Sequence, residues 1–185
     1  MNCTKRIVFI MFAIICLTSC HIIDSECRNM QGCYVTNTTE HYDDGISCNV
    51  QLKTTENFNT FSFCNNVEMK ATFIMDETWN FPNLTLTYNI SIEGDWDYAE
   101  NTLIVSVDTT TFQCDYVGTS AKTPTEESMA RQIRKNVIAG ELMPRIRKEI
   151  IESAERKVRV IQKDEKQMIV EHPISKLPIT MIKVK

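Results

Sequence analysis

Apolar and polar residues alternate with a period of two over much of the first two thirds of the chain. In the clearest example, every second residue from Leu84 to Ile92 is apolar and the residues between them are polar. The same alternation occurs in three other segments, 46–52, 69–75 and 103–107. Successive side chains of a strand point to opposite faces, so each run predicts a strand with one buried and one wet face. The short turns between the runs predict an antiparallel meander.

The period changes to that of a helix after residue 122. Thr123, Pro124 and Glu126 form a capping box with proline at the first helical position, which is a strong start signal for a helix. An apolar stripe at mostly i, i+4 spacing follows: Met129, Ile133, Val137, Leu142, Ile146 and Ile150. Gly140 and Pro144 interrupt this stripe and predict a kink or two helices.

Alternation returns in the last part of the chain, at 158–160, 168–170 and 179–184, with a turn at 163–166. A sheet of eight or nine strands tends to close on itself, because closure removes exposed edges. We therefore predict a mainly β fold, an antiparallel up-and-down barrel of about eight strands with a kinked amphipathic helix at about 123–155. The interior of such a barrel is either filled by side chains or wide enough for one small ligand.

A basic and then apolar segment precedes Cys20. Lys5 and Arg6 are followed by an almost wholly apolar run of 11 residues, 7–17. A helix that spans a membrane needs about 20 residues. The pattern is therefore that of a signal peptide, which we expect to be removed as residues 1–19.

The end of this segment resembles the lipobox of bacterial lipoproteins, because Leu-Thr-Ser-Cys occupies 17–20. The resemblance implies that Cys20 carries the lipid of the mature protein, which would be an outer-membrane lipoprotein of the cell envelope. Residues 20–30 would then be a lipidated tether and 31–185 a single barrel domain. Asn-x-Ser/Thr sequons at Asn37, Asn83 and Asn89, all within the expected mature chain, favour the rival interpretation of a secreted eukaryotic protein.

Charge is distributed unevenly along the chain. Residues 21–123 hold 4 basic and 15 acidic residues, whereas 124–185 hold 14 basic and 9 acidic ones. The two regions either neutralise each other within the fold or leave a basic helix face that meets an anionic partner. The helix residues concerned are Arg131, Arg134, Lys135, Arg145, Arg147 and Lys148. We expect no nucleic-acid partner, because no aromatic residues are interleaved with these basic ones.

Five cysteines follow Cys20, namely Cys27, Cys33, Cys48, Cys64 and Cys114. Outside the cytoplasm such residues form a candidate pool for one or two disulfides, whose pairing the sequence leaves open. The alternative is that several are buried, inert thiols in the core. Their spacing matches no zinc site, so we expect no metal.

Two short motifs resemble lipocalins and the lipocalin-like lipoproteins of Bacteroidetes. Gly32-Cys33-Tyr34 resembles the lipocalin G-x-W with tyrosine in place of tryptophan, and Gly94-Asp95-Trp96 followed by Thr-Leu-Ile-Val at 102–105 resembles the second pattern. The resemblance implies a barrel that binds a small apolar molecule in its mouth. The candidate cavity residues are Phe61, Phe63, Phe73, Tyr88 and Trp96. The alternative is that these five side chains simply fill the core.

Motifs that carry a catalytic mechanism are missing from the sequence, and only three histidines are present: His21, His41 and His172. We therefore expect no enzyme and no cofactor. The first hypothesis is a lipid-anchored protein with a lipocalin-like domain that binds a small apolar or amphipathic ligand. The second is a non-enzymatic interaction protein whose solid barrel docks a protein or lipid partner through its basic helix.

Overall fold

The computed structural model describes residues 25–43, 47–77, 79–172 and 176–184. The predicted signal peptide and Cys20 lie outside the described residues. Within them, eight strands, three α-helices and one π-helical segment follow one another: α1 Ser25–Met30, β1 Gly32–Tyr42, β2 Cys48–Phe58, β3 Cys64–Met75, β4 Thr85–Ala99, β5 Thr102–Thr119, α2 Pro124–Ile133, the π-helical segment Arg134–Leu142, α3 Met143–Ala154, β6 Arg156–Lys163, β7 Gln167–Glu171 and β8 Pro178–Lys183.

The strands form one antiparallel up-and-down barrel, which confirms the predicted fold class. Each strand pairs with the next along the chain, and β8 pairs with β1 to close the ring. The longest pair, β4 and β5, is joined by a two-residue turn in which Glu100 and Asn101 have φ values of 51° and 59°. Two successive residues with a left-handed backbone conformation match the twist of the flanking strands, and they therefore favour a tight hairpin.

Burial follows the alternation that the sequence shows. In β4, Leu86, Ile90 and Ile92 are at most 2% exposed, while the intervening residues are more accessible. The barrel register places these side chains beside inward-facing residues of β3, such as Phe73 and Met69. Burial of this apolar face supplies the main stabilisation of the sheet.

The ring of strands is complete only near one end, which we call the closed end because α1 packs there. Among the described residues, β1 pairs with β8 only at Tyr34–Lys183 and Val35–Ile182. The strands β1 to β5 have 11 to 18 residues, whereas β6 to β8 have 5 to 8. The long strands therefore extend beyond the short ones and form a half-barrel. We call the end of this half-barrel that is farthest from the closed end the open end.

The helical region starts with the predicted capping box. The hydroxyl of Thr123 accepts the amide of Glu126 at 3.2 Å, and the Glu126 carboxylate accepts the amide of Thr123 at 2.9 Å. These contacts satisfy amides that lack partners within the helix. Hydrogen bonds from the Lys122 and Thr123 amides hold the pKa of the Glu126 carboxyl below its usual value.

The expected interruption is a change of helix type. A π-helical turn holds more residues than an α-helical one, and Ile138, five residues after Ile133, is fully buried. Pro144 lies in the first turn of α3, where a missing N–H costs little. The two α-helices and the segment between them thus cover the inner face of the half-barrel.

Two apolar cores result. The first lies between the helices and the inner face of β1 to β5 and includes Phe73, Ile133 and Ile146. The second lies at the closed end and includes Met30 of α1 and Trp96. The strands form a complete ring around the second core but not around the first. The two cores therefore meet where β1 separates from β8.

Candidate functional site

A cavity of about 190 Å³ lies between the two cores. Its walls come from α3, the inner faces of β1 to β3, and β6 to β8. Apolar side chains form most of the lining: Val50, Leu52, Val67, Met69, Ile146, Ile150, Ala154, Val158, Val170, Ile179 and Met181. Polar side chains form a strip along one wall and the rim: Thr36, Thr38, Thr54, Ser153, Glu40, Tyr42, Glu56, Glu149, Arg156 and His172.

The cavity exists because β1 separates from β8. Thr36, Thr38 and Tyr42 lie on the part of β1 beyond the two residue pairs that join these strands, and Ile179 and Met181 face them from β8. Helix α3 covers this space from above through Ile146 and Ile150 without filling it. The result is a partly open cavity with an apolar side and a polar side.

A buried ion pair lies in the polar wall. Arg156 Nη2 is 2.5 Å from Glu56 Oε2, and the two side chains are 9% and 7% exposed. Arg156 Nη1 also donates to the main-chain oxygen of Ala154 at 3.4 Å. Removal of two charges from water is costly, and the attraction between them offsets that cost only when both partners are present. Loss of either partner would leave an uncompensated buried charge, at a cost of about 3–5 kcal/mol.

The sequence contains a signal for this ion pair, although only aromatic residues were predicted to line the cavity. Glu56 is in phase with the inward-facing Cys48, Val50 and Leu52 of β2, and Arg156 is in phase with Val158 of β6. A charged residue at an inward position of an otherwise apolar strand requires a partner. That partner lies 100 residues away, and only the folded barrel identifies it.

The rim carries a second polar cluster. The Tyr42 hydroxyl lies 2.5 Å from Glu149 Oε2 and 3.0 Å from Glu40 Oε2. Arg145 Nε donates to Glu149 Oε1 at 3.1 Å, and its guanidinium lies 5.4 Å from the centre of the Tyr42 ring. Burial, followed by the hydrogen bond to Glu149 and the charge of Glu40, raises the pKa of Tyr42 above its usual value. The hydroxyl therefore stays protonated and has one proton to donate to two carboxylates.

None of the five aromatic residues predicted for a ligand cavity lines this one. Phe61 is 86% exposed in the β2–β3 turn. Phe63 and Trp96 lie 5.9 Å apart between ring centres at the closed end, and Phe73 and Tyr88 pack edge to face at 5.5 Å in the core beneath the helices. Large rings fill space well, so the cavity remains where smaller side chains lie.

The cysteines occupy different environments. The Cys27 thiol donates to the main-chain oxygen of Tyr98 at 3.3 Å. Cys48 is fully buried, and burial, followed by the charge of Asp76, raises its pKa to about 11. Burial is also the main cause that raises the pKa of Cys114. Cys27 and Cys48 are thus buried in the two cores, and Cys114 is half-buried beside the first.

The predicted disulfide pool forms no pair among Cys33, Cys48, Cys64 and Cys114, which are free thiols within the part of the chain that the structure describes. Cys33 and Cys64 lie on β1 and β3, with β2 between them. Strands two apart are separated by about 10 Å, whereas a disulfide needs Cα atoms within about 7 Å. The barrel order therefore prevents this pair.

Four of the six basic helix residues contact other side chains of the protein. The guanidinium of Arg134 lies 4.6 Å from the centre of the Tyr116 ring, and that of Arg147 lies 5.2 Å from the centre of the Phe112 ring. Arg145 belongs to the rim cluster. Arg131 and Lys135 are exposed, and Lys148 is exposed and pairs with Glu152 at 3.8 Å.

Within the described residues, no helix is both long and apolar enough to cross a membrane. No protein-family model matches the chain, and no curated protein is significantly similar to it. The resemblance to lipocalin-like lipoproteins therefore stays a prediction from the sequence.

Proposed function

We propose that this chain is a non-enzymatic, lipid-anchored protein of the cell envelope that holds a small amphipathic molecule in the cavity beside α3. The observation that carries this proposal is a partly open cavity of about 190 Å³ with apolar walls and a polar strip. Protein interiors are close-packed and contain few voids larger than a water molecule. A space of this size therefore favours a ligand.

The volume indicates the size of the ligand that the cavity would hold. Pockets for drug-sized molecules measure about 300–1,000 Å³, whereas an apolar cavity of about 150 Å³ holds one benzene ring. The cavity of about 190 Å³ fits a compound with one ring or a short acyl chain. Val67, Met69 and Ile150 would contact its apolar body.

A second candidate function is docking of an anionic partner on the helices. Arg131, Lys135 and Lys148 are exposed and favour it. Arg134 and Arg147 are already engaged with aromatic rings of β5, which leaves a smaller basic surface than the sequence predicts. The cavity therefore supports ligand binding better than docking.

Two neighbouring threonines of β2 provide the test. Thr54 lines the cavity and Thr55 points outward from the same strand, and both are half-buried. Toluene binding would be measured by NMR or calorimetry on the full chain with Cys20→Ser, so that no attached lipid competes for the cavity. We expect toluene to bind, Thr54→Phe to weaken it by about tenfold or more, and Thr55→Phe to leave it unchanged. Equal affinities in both variants, or no binding of toluene, would contradict the proposal.

A further inference from the structure

We propose that the Glu56–Arg156 pair selects an uncharged ligand head group that both accepts and donates a hydrogen bond, of which a primary amide is the closest match. This inference rests on the cavity being the binding site, as proposed above. It adds the chemical class of the ligand and the two residues that recognise it.

The first argument is hydrogen-bonding capacity. A guanidinium has five N–H donors, and among the described residues Arg156 makes two hydrogen bonds, to Glu56 and Ala154. Glu56 accepts from Arg156 through Oε2, and a carboxylate has further lone pairs on both oxygens. Both side chains line the cavity and are at least nine-tenths buried. A ligand oxygen can therefore accept from Arg156 while a ligand N–H or O–H donates to Glu56.

The second argument is charge. Glu56 and Arg156 neutralise each other inside the barrel. A carboxylate ligand would add an unpaired negative charge beside Glu56, and an ammonium ligand would add an unpaired positive charge beside Arg156. An uncompensated buried charge is costly, so each charged ligand loses the advantage of its single favourable contact. A neutral group leaves the balance of the pair intact.

The rim strengthens the exclusion of anions. Glu40 and Glu149 lie at the rim beside Tyr42, and Arg145 pairs with Glu149. An anion that enters from this side passes two carboxylates. The rim therefore opposes carboxylates before they reach Arg156.

Three single-ring compounds separate the possibilities, since they share a size and differ in the head group. Benzamide is neutral, benzoate is an anion and benzylamine is a cation at neutral pH. On the full chain with Cys20→Ser, we expect benzamide to bind at least about tenfold more tightly than either charged compound and more tightly than toluene. Affinity for benzoate or benzylamine equal to that for benzamide would overturn the inference.

A paired substitution tests the residues. Glu56→Leu with Arg156→Met replaces the buried pair by apolar side chains, a change that cores often tolerate. We expect this variant to bind toluene as well as the parent and to lose the preference for benzamide over toluene. Glu152→Leu with Lys148→Met makes the same replacement in an exposed pair of α3 and should keep that preference.

The outcomes distinguish the two proposals. If toluene binds but the Glu56/Arg156 variant still prefers benzamide, the cavity remains the binding site and the selection by the ion pair is wrong. If toluene does not bind the parent chain, the cavity proposal fails, and this inference, which rests on it, fails with it.

Discussion

The hydroxyl of Tyr42 lies 2.5 Å from Glu149 Oε2, although the two residues are 107 positions apart. Tyr42 ends β1, and Glu149 is in the middle of α3. The contact thus joins the strand that borders the gap in the barrel to the helix that covers it. It fixes one side of the cavity rim.

Tyr42→Phe should destabilise the protein by about 1 kcal/mol, because it removes the hydroxyl shared by Glu40 and Glu149. The Glu149 side chain is 39% exposed, so water replaces part of the lost contact. Urea unfolding measures the difference. Tyr116→Phe is the control, since that side chain is 36% exposed. An equal effect of both substitutions would show that the rim contact contributes nothing specific.

Tyr34→Phe should have the opposite sign. The Tyr34 hydroxyl is buried and has no hydrogen-bond partner among the described residues. A buried hydroxyl without a partner costs about 1–3 kcal/mol, so we expect Tyr34→Phe to stabilise the fold by about 1 kcal/mol. Tyr98→Phe is the matched control, because the Tyr98 hydroxyl donates to Asn101 at 3.2 Å. In thermal unfolding, we expect a higher melting temperature for Tyr34→Phe and a lower one for Tyr98→Phe, each compared with the parent chain.

Alkaline pH should destabilise the protein through its buried tyrosines. Burial raises the pKa of Tyr34, and burial is the main cause that raises that of Tyr88, in each case from 10.0 to about 12. Above pH 10 the unfolded chain therefore loses protons that the folded chain keeps, and the free energy of unfolding falls. Urea unfolding at a series of pH values measures how steeply the free energy of unfolding falls with pH. The double variant Tyr34→Phe/Tyr88→Phe should flatten this dependence between pH 10 and 12.

Gly94 should tolerate no side chain. A Cβ at this position would collide with the main-chain oxygen of Ser106 and lie 2.9 Å from the Cα of Val107. Gly94→Ala must push β5 away from β4, so we expect a loss of about 2 kcal/mol or more in the free energy of unfolding.

Gly118→Ala is the control for this steric argument. Gly118 lies in β5, and a Cβ there would meet no atom within 4 Å. We expect a change within about 0.5 kcal/mol. A similar loss at both positions would mean that strand glycines matter here for a reason other than close approach.

Cys20→Ser should release the protein from membranes, because it removes the predicted site of lipid attachment. Fractionation of cells followed by immunoblotting measures the change. Cys16→Ser, within the apolar run that precedes the lipobox, should leave the protein membrane-bound. If the Cys20 variant also stays in the membrane fraction, the lipoprotein assignment is wrong.

The strands could be predicted because their signal is local. The alternation from Leu84 to Ile92 depends only on the backbone of one strand, and the structure buries the expected face. The capping box at Thr123 and Glu126 is equally local, and the helix starts there. Each of these patterns acts over a few neighbouring residues and does not depend on the rest of the fold.

The cavity could not be predicted in this way. Phe61 was expected in its wall and is exposed, because the β2–β3 turn carries it past the end of the barrel. Glu56 and Arg156 were not expected there, although both interrupt apolar inward faces. A cavity is the space that remains after segments far apart in the sequence have packed. Its position therefore depends on the lengths and registers of all the strands together.

The sequence by itself determined a meander of about eight strands, the buried face of the clearest strands and the start of the helix, because short-range periodicity encodes these features. The tertiary structure alone decided that long strands β1 to β5 diverge from short strands β6 to β8. That divergence leaves a space beside α3 and brings Glu56 to Arg156 across 100 residues. The reason is that the pairing of strands far apart in the sequence sets the width of the barrel, and no local sequence pattern encodes this pairing.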